Sequence, residues 1–205
     1  IYQDIVGVPS GVNVVIADFP VRWTISGSSH LYDSGINLVD VPQKVIPSSL
    51  MEPKIKNRSR IFYLMGNIQA SLIEGKDNWP ILMDINNFIA EGTGSNFFLV
   101  KDGIIYTPEP RDILRGITRQ TIIDEIAPAL NLKVIEKNLE SYDLYEADEA
   151  FMTSTPFCLL PATTYNKIPI GNGKPGEITN MLLKKWSEIV DLDIVKQIKD
   201  WDNLK

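Results

Sequence analysis

Apolar residues recur along this chain in two periods, alternating or unbroken over short stretches and three to four apart over longer ones. Residues 11–19 are rich in Val and Ile and stop at Pro20, which predicts a buried strand. Residues 21–53 mix short apolar runs, such as 36–41, with Gly, Ser and Pro, and read as short strands and loops. Between 60 and 72 the apolar residues fall at Ile61, Phe62, Met65, Ile68 and Leu72, the spacing of an amphipathic helix. Strand-like runs follow at 81–83 and 97–100. The second leads into Lys101-Asp102-Gly103, a hairpin turn whose partner strand is 104–106. Thr118 stands as an N-cap before a helix to Leu130, with Ile122, Ile123 and Ile126 on its apolar face and Pro128 bending its end. Residues 134–135 predict a strand, Ser141 caps a helical turn near Leu144, and 150–153 form an apolar strand. The last clear helix is 178–190, with a frayed charged continuation to Lys205. Helices and strands are interspersed without regular βαβ units, so the expected fold class is a mixed α/β (α+β) domain rather than a doubly wound sheet.

Composition narrows the possible roles. A chain of 205 residues, 44% hydrophobic and 22% charged, suffices for one large domain, or one domain plus part of another. Twenty Lys and Arg against 26 Asp and Glu leave a net charge of −6 with no basic stripe, which argues against a nucleic-acid partner. No apolar run approaches the roughly 20 residues of a membrane span. The lone Cys158 forms no intrachain disulfide and fits a reducing, cytoplasmic compartment; its apolar neighbours read as those of a small buried side chain. The chain opens at Ile1 without a signal-peptide pattern, and the expectation is that polypeptide precedes it.

The chemistry concentrates between Glu91 and Arg119. Glu91-Gly-Thr-Gly-Ser-Asn96-Phe-Phe is followed by Thr107-Pro and then by Leu114-Arg-Gly-Ile-Thr-Arg119. The glycines permit close backbone approach, and Asn96 can anchor its loop through side-chain hydrogen bonds. The run lacks the Lys-Ser/Thr of a P-loop and the spacing of a dinucleotide fold. The pattern resembles the signature of the class IV aminotransferases, the fold type IV pyridoxal-phosphate enzymes that include branched-chain and D-amino-acid aminotransferases and aminodeoxychorismate lyase. The likeness extends from Asp18-Phe-Pro20 to the segment 170–176. It implies that residues 11–205 are a large cofactor-binding domain, with 1–10 the end of a small domain or a linker and most of that small domain absent.

Pyridoxal 5'-phosphate needs a lysine for covalent attachment, an acid facing its ring nitrogen, a cradle for its phosphate and a group near its phenolic oxygen. The resemblance implies Lys56 for the first, from Lys56-Asn-Arg-Ser-Arg60 ahead of a helix, with Lys54 as the alternative. Glu91 matches the acid that keeps the ring protonated and therefore electron-withdrawing. Gly116-Ile117-Thr118-Arg119 opens a helix, so the N–H groups of Ile117 and Thr118 can face an anion, although a merely capping Thr is the plainer reading. Ser154 and Thr155, after Ala147-Asp-Glu-Ala-Phe151, match the family's phosphate-binding hydroxyls, although Ser and Thr at a strand end commonly form a turn. Tyr63 is either the phenol near the ring oxygen or a core tyrosine. Arg22 and Arg111 could pair with a carboxylate by charge alone. His30 lies in a polar loop without a Ser or Cys partner and reads as a surface histidine, while Met65, Trp79 and Trp186 read as packing residues. No metal site is expected.

The implied reaction moves an amino group between an amino acid, of branched-chain or D type, and a 2-oxo acid. The alternatives are a lyase-type elimination giving pyruvate and a non-catalytic member that keeps the fold. A homodimer is implied by the resemblance.

Overall fold

The computed structural model describes residues 16–18, 20–57 and 59–203. The strand expected over 11–19 lies largely outside these residues, and its described part, 16–18, is not in a strand. Among the described residues, nine strands carry the fold: β1 (Ile36–Lys44), β2 (Asn78–Met83), β3 (Ile89–Gly92), β4 (Asn96–Lys101), β5 (Ile104–Pro108), β6 (Val134–Lys137), β7 (Glu149–Ser154), β8 (Cys158–Tyr165) and β9 (Ile168–Pro169). The helices are α1 (Leu31–Ser34), α2 (Ile61–Ser71), α3 (Ile117–Thr121), α4 (Ala127–Ala129), α5 (Ser141–Tyr145), α6 (Glu177–Ile189) and α7 (Ile194–Asn203). A 3-10 turn over Val21–Thr24 precedes them, and a π-helical turn, Ile122–Ile126, joins α3 to α4.

The strands form one mixed sheet in the order β3-β2-β1-β8-β7-β4-β5-β6, with β9 on β8. Because β3 also pairs with β4, six strands return upon themselves as a barrel-like ring, and β5 and β6 extend from it. β1 runs parallel to both neighbours, β2 and β8, whereas the β2–β3, β3–β4, β4–β7 and β7–β8 pairs are antiparallel. Alternation along β1 feeds two cores: Ile36 and Leu38 join the larger cluster with Phe97, Phe98 and Phe151, while Val39 and Val41 join a smaller one with Leu82, Ala90 and Ala70.

Helix α2 covers the smaller core, but not with the expected stripe. Its buried residues are Gly66 and Ala70, with Tyr63 half-buried one turn earlier, so the sheet-facing stripe is 63/66/70. A Cβ on Gly66 would already lie 3.2 Å from Leu82 and Thr93, and this small residue lets the helix approach the sheet closely. Ile61, Leu64, Met65, Ile68 and Leu72 are left exposed, so Met65 is not a packing residue.

Other expectations shift by smaller amounts. The run at 36–41 belongs to a nine-residue central strand, and β8, not expected at all, pairs with both β1 and β7. The N-cap of α3 is Gly116, so Thr118 lies in the first turn, and the N-cap of α5 is Glu140, whose N–H donates to Asp143 (2.7 Å), leaving Ser141 inside the helix. The continuation after 190 is the separate helix α7. The hairpin at Lys101-Asp102-Gly103 forms as expected, with φ of 50° and 74° at Asp102 and Gly103, as a tight two-residue turn requires. Among the described residues, no helix is long and apolar enough to cross a membrane.

Candidate active site

Glu91 lies on β3 and is 3% exposed. Its Oε1 accepts the Tyr63 hydroxyl of α2, and its Oε2 accepts the Leu114 N–H (3.0 Å) and Asn96 Nδ2 (3.3 Å). Asn96 stands opposite Glu91 in the β3–β4 pair, and its Nδ2 also donates to the Leu114 carbonyl (2.8 Å). The loop ahead of α3 is thereby tied to the hairpin that carries the acid. Burial pushes the Glu91 carboxyl up to about 7, against the opposing effects of the Tyr63 hydrogen bond, the Leu114 N–H and the positive charges of Lys56 and Arg60. Burial, followed by the Glu91 charge, raises the Tyr63 phenol.

Glu91 borders a cavity of about 310 Å³ whose lining comes from four separate stretches of chain. Lys56, Tyr63, Glu91, Asn96, Ile117, Thr118, Ser154 and Thr155, the residues to which the resemblance gives cofactor roles, all line it. Lys56 is exposed in the loop between β1 and α2. Lys54 lines the cavity too, but its ammonium is paired with Glu52. Ser154 donates to the Gly94 carbonyl (2.9 Å), holding the end of β7 against the β3–β4 turn. Gly92 permits that turn, since a Cβ there would lie 2.5 Å from Met152 and Ser95.

Two features favour an anionic ligand. The first is charge: Lys54, Lys56, Arg60 and Arg115 line the cavity against the one carboxylate of Glu91. The second is a set of unused donors. Gly116 has no side chain to cap α3, so the N–H groups of Ile117 and Thr118, in its first turn, meet no side-chain cap. Thr153, which also lines the cavity, has its Oγ1 buried with no hydrogen-bond partner among the described residues. A buried hydroxyl left unpaired costs about 1–3 kcal/mol, a penalty that an arriving phosphate oxygen would relieve. The donor set therefore fits a phosphorylated cofactor.

Not every motif residue belongs to the cavity. Arg119 is 1% exposed and braces the sheet, donating to Thr107 Oγ1 (3.3 Å), the Pro108 carbonyl (3.0 Å) and Glu136 (2.5 Å). Asp148 accepts the Asp102 N–H (2.8 Å), and Glu149 accepts Ile178 N–H, Thr179 N–H and the Thr179 hydroxyl at 2.7–2.8 Å, capping α6. Arg22 and Arg111 do not line the cavity; Arg111 pairs with Glu109 (2.8 Å). His30 is exposed and faces Asp77 at 3.3 Å, while Trp79 and Trp186 pack against the larger core. Burial raises the half-buried Cys158 thiol, against a reactive role. Sequence reasoning gave no role to Arg60 and Arg115, although each stands within a quoted motif, and placed Thr153 in the cradle segment without a role of its own. Among the described residues, no cluster of His, Cys, Asp and Glu could hold a metal ion.

The fold and this cavity define a class of protein, and comparison with known proteins gives the same answer. Residues 11–165 match the amino-transferase class IV family, and the chain belongs to it. It is 37% identical over 123 residues to the branched-chain-amino-acid aminotransferase of Pseudomonas aeruginosa, covering 60% of this chain and 39% of that protein. To the Escherichia coli K12 enzyme of the same name it is 32% identical over 184 residues, covering 85% and 56%. Among solved structures, the branched-chain amino acid aminotransferase of Thermobaculum terrenum in its PLP-form superposes with a TM-score of 0.74 at 26% identity, covering 87% of this chain and 57% of that one. The E. coli enzyme superposes with a TM-score of 0.68 at 30% identity, covering 78% and 52%. The chain thus spans about half the length of the relatives it matches.

Proposed function

We propose that the chain carries the cofactor site of a pyridoxal-phosphate-dependent aminotransferase that moves an amino group between a branched-chain amino acid and a 2-oxo acid. The observation that carries this reading is the convergence on one cavity of Lys56, Glu91, Asn96, Ser154, Thr155 and the start of α3. The relatives' names support the substrate class.

When bound, pyridoxal phosphate supplies an electron sink conjugated to the substrate's Cα. Lys56 Nζ would hold the cofactor covalently and, when the substrate's amino group takes its place, would carry the Cα proton to the cofactor carbon that receives the amino group. Glu91 accepts the proton-bearing ring nitrogen as a hydrogen-bond donor, and Asn96 and the Leu114 N–H keep its carboxylate aimed. The N–H groups of Ile117 and Thr118 and the hydroxyls of Thr118, Ser154 and Thr155 form the phosphate cradle, joined by the helix dipole. On this reading, residues 11–205 are the cofactor-binding domain. A homodimer completes the proposal, supported by the exposed apolar stripe Ile61, Leu64, Met65 and Ile68 on α2, continued by Leu72 at its C-cap, the kind of surface that protein interfaces cover.

The test is to incubate the purified, cofactor-loaded protein with a branched-chain amino acid and a 2-oxo acid acceptor, following both products. Equal amounts of new 2-oxo acid and new amino acid are expected. No amino transfer with any donor would contradict the proposal, and pyruvate release without acceptor consumption would assign a lyase instead.

A further inference from the structure

A row of paired residues crosses the sheet beneath the cavity. Asn96 on β4 stands opposite Glu91 on β3 and opposite Thr153 on β7. Directly paired residues on neighbouring strands point to the same face, so these three side chains stand side by side, and all three line the cavity. Two strand spacings, about 9–10 Å, separate the acid from Thr153. The two ends of the row are treated differently. Asn96 Nδ2 is committed to Glu91 (3.3 Å) and to the Leu114 carbonyl (2.8 Å), and the next residue in register with Thr153 is Leu159, whose side chain has no polar atom. Thr153 is 1% exposed, and among the described residues its hydroxyl alone is a buried side-chain polar atom without a hydrogen-bond partner.

We propose that Thr153 is a phosphate-binding residue: its hydroxyl is kept without a partner in the free protein and donates to a phosphate oxygen of the bound cofactor, at the far end of the row from Glu91. The inference rests on the cofactor site proposed above and adds to it a donor from the strand itself. Ser154, the next hydroxyl along the chain, must release the Gly94 carbonyl (2.9 Å) before it can donate to an anion, whereas Thr153 releases nothing. The orphan hydroxyl therefore acts with opposite signs on the two states. Unpaired in a buried place, it weakens the free protein, and ligand binding removes that penalty while adding a hydrogen bond to a charged group. A threonine placed for packing alone would show no such opposition, because valine would serve equally well in both states.

The experiment has two arms. In the first, thermal unfolding of the cofactor-free protein is compared with that of two variants. Thr153→Val replaces the hydroxyl by a methyl group and should raise Tm by about 2–4 °C or more. Thr153→Ser keeps the hydroxyl, loses a buried methyl and should lower Tm. An unchanged or lower Tm in Thr153→Val would mean that the hydroxyl already has a partner in the free protein, such as a held water, and would overturn the proposal.

In the second arm, pyridoxal phosphate and pyridoxal, which lacks the phosphate, are titrated into the same proteins and followed by absorbance. Thr153→Val should weaken pyridoxal phosphate binding about tenfold or more and leave pyridoxal binding unchanged, while Thr153→Ser should retain the affinity for the phosphorylated form. Equal weakening for both ligands would set the hydroxyl against the ring, and no weakening for either would make it a packing residue; both results overturn the proposal. A protein that takes up no pyridoxal phosphate would refute the cofactor reading. Inorganic phosphate, titrated against the amide NMR signals of the same proteins, would then decide Thr153 alone: weaker binding in Thr153→Val supports an anion site at this hydroxyl, and equal binding or none overturns it.

Discussion

Glu91 carries an opposition between stability and ligand recognition. Burial lifts its carboxyl from the ordinary 4.5 to about 7, so without ligand the folded state holds a proton that the unfolded chain releases. Because the folded value is the higher one, this stabilisation is fully present below about pH 4.5 and is lost as pH rises to about 7, a cost on the order of 3 kcal/mol at pH 8. Glu91→Gln should therefore flatten the fall in stability between pH 5 and 8, measured by urea denaturation of the cofactor-free protein, while weakening pyridoxal phosphate binding. An unchanged pH slope would place the burden elsewhere. Gly116 offers a second test, because an added Cβ would lie 2.2 Å from Asn96 Oδ1. Gly116→Ala should push Asn96 off Glu91 and Leu114 and weaken cofactor binding about tenfold or more, read by absorbance titration. The pairing of Glu91 with Asn96 was legible because the two lie five residues apart in one motif. The Tyr63–Glu91 bond was not, since the residues lie 28 apart and meet only through the packing of α2.

At the scale of elements, local chemistry was read more reliably than the choice of buried face. The 101–103 turn and the strands around it follow from Asp102-Gly103 and the alternation beside it. The burial of α2 does not follow from its sequence, because Gly66 and Ala70 win the sheet face by close approach while larger side chains stay outside. β8 escaped notice because Pro161 and the run of Thr residues interrupt its apolar pattern, although six of its eight residues are buried. Some motif residues proved to be fasteners between elements. Glu149 caps α6 with three hydrogen bonds, and a Cβ on Gly176 would lie 1.9 Å from its carboxyl carbon. Glu149→Ala should cost about 1–3 kcal/mol in denaturation experiments and leave cofactor affinity unchanged. A changed affinity with unchanged stability would show that the acid serves the site instead.

For the whole molecule, closure of six strands into a ring brings distant segments to one cavity: the β3–β4 turn, the end of β7, the loop before α2 and the start of α3. Pairing order of this kind is non-local, and the sequence disclosed the fold class without the closure. The exposed stripe of α2 belongs to this scale too. If the proposed homodimer uses this stripe, Ile68→Asp should shift the protein toward monomer in light scattering while sparing its folded circular dichroism spectrum, and an unchanged mass would take the stripe out of the proposal. The central claim is that this cavity holds pyridoxal phosphate through Lys56. Its most direct test is to add the cofactor to the purified protein, reduce with borohydride and map the labelled peptide. The account predicts a visible absorbance band before reduction and a pyridoxyl group on Lys56 after it, absent in Lys56→Ala. A label on Lys54 or another lysine, or no label at all, would contradict it.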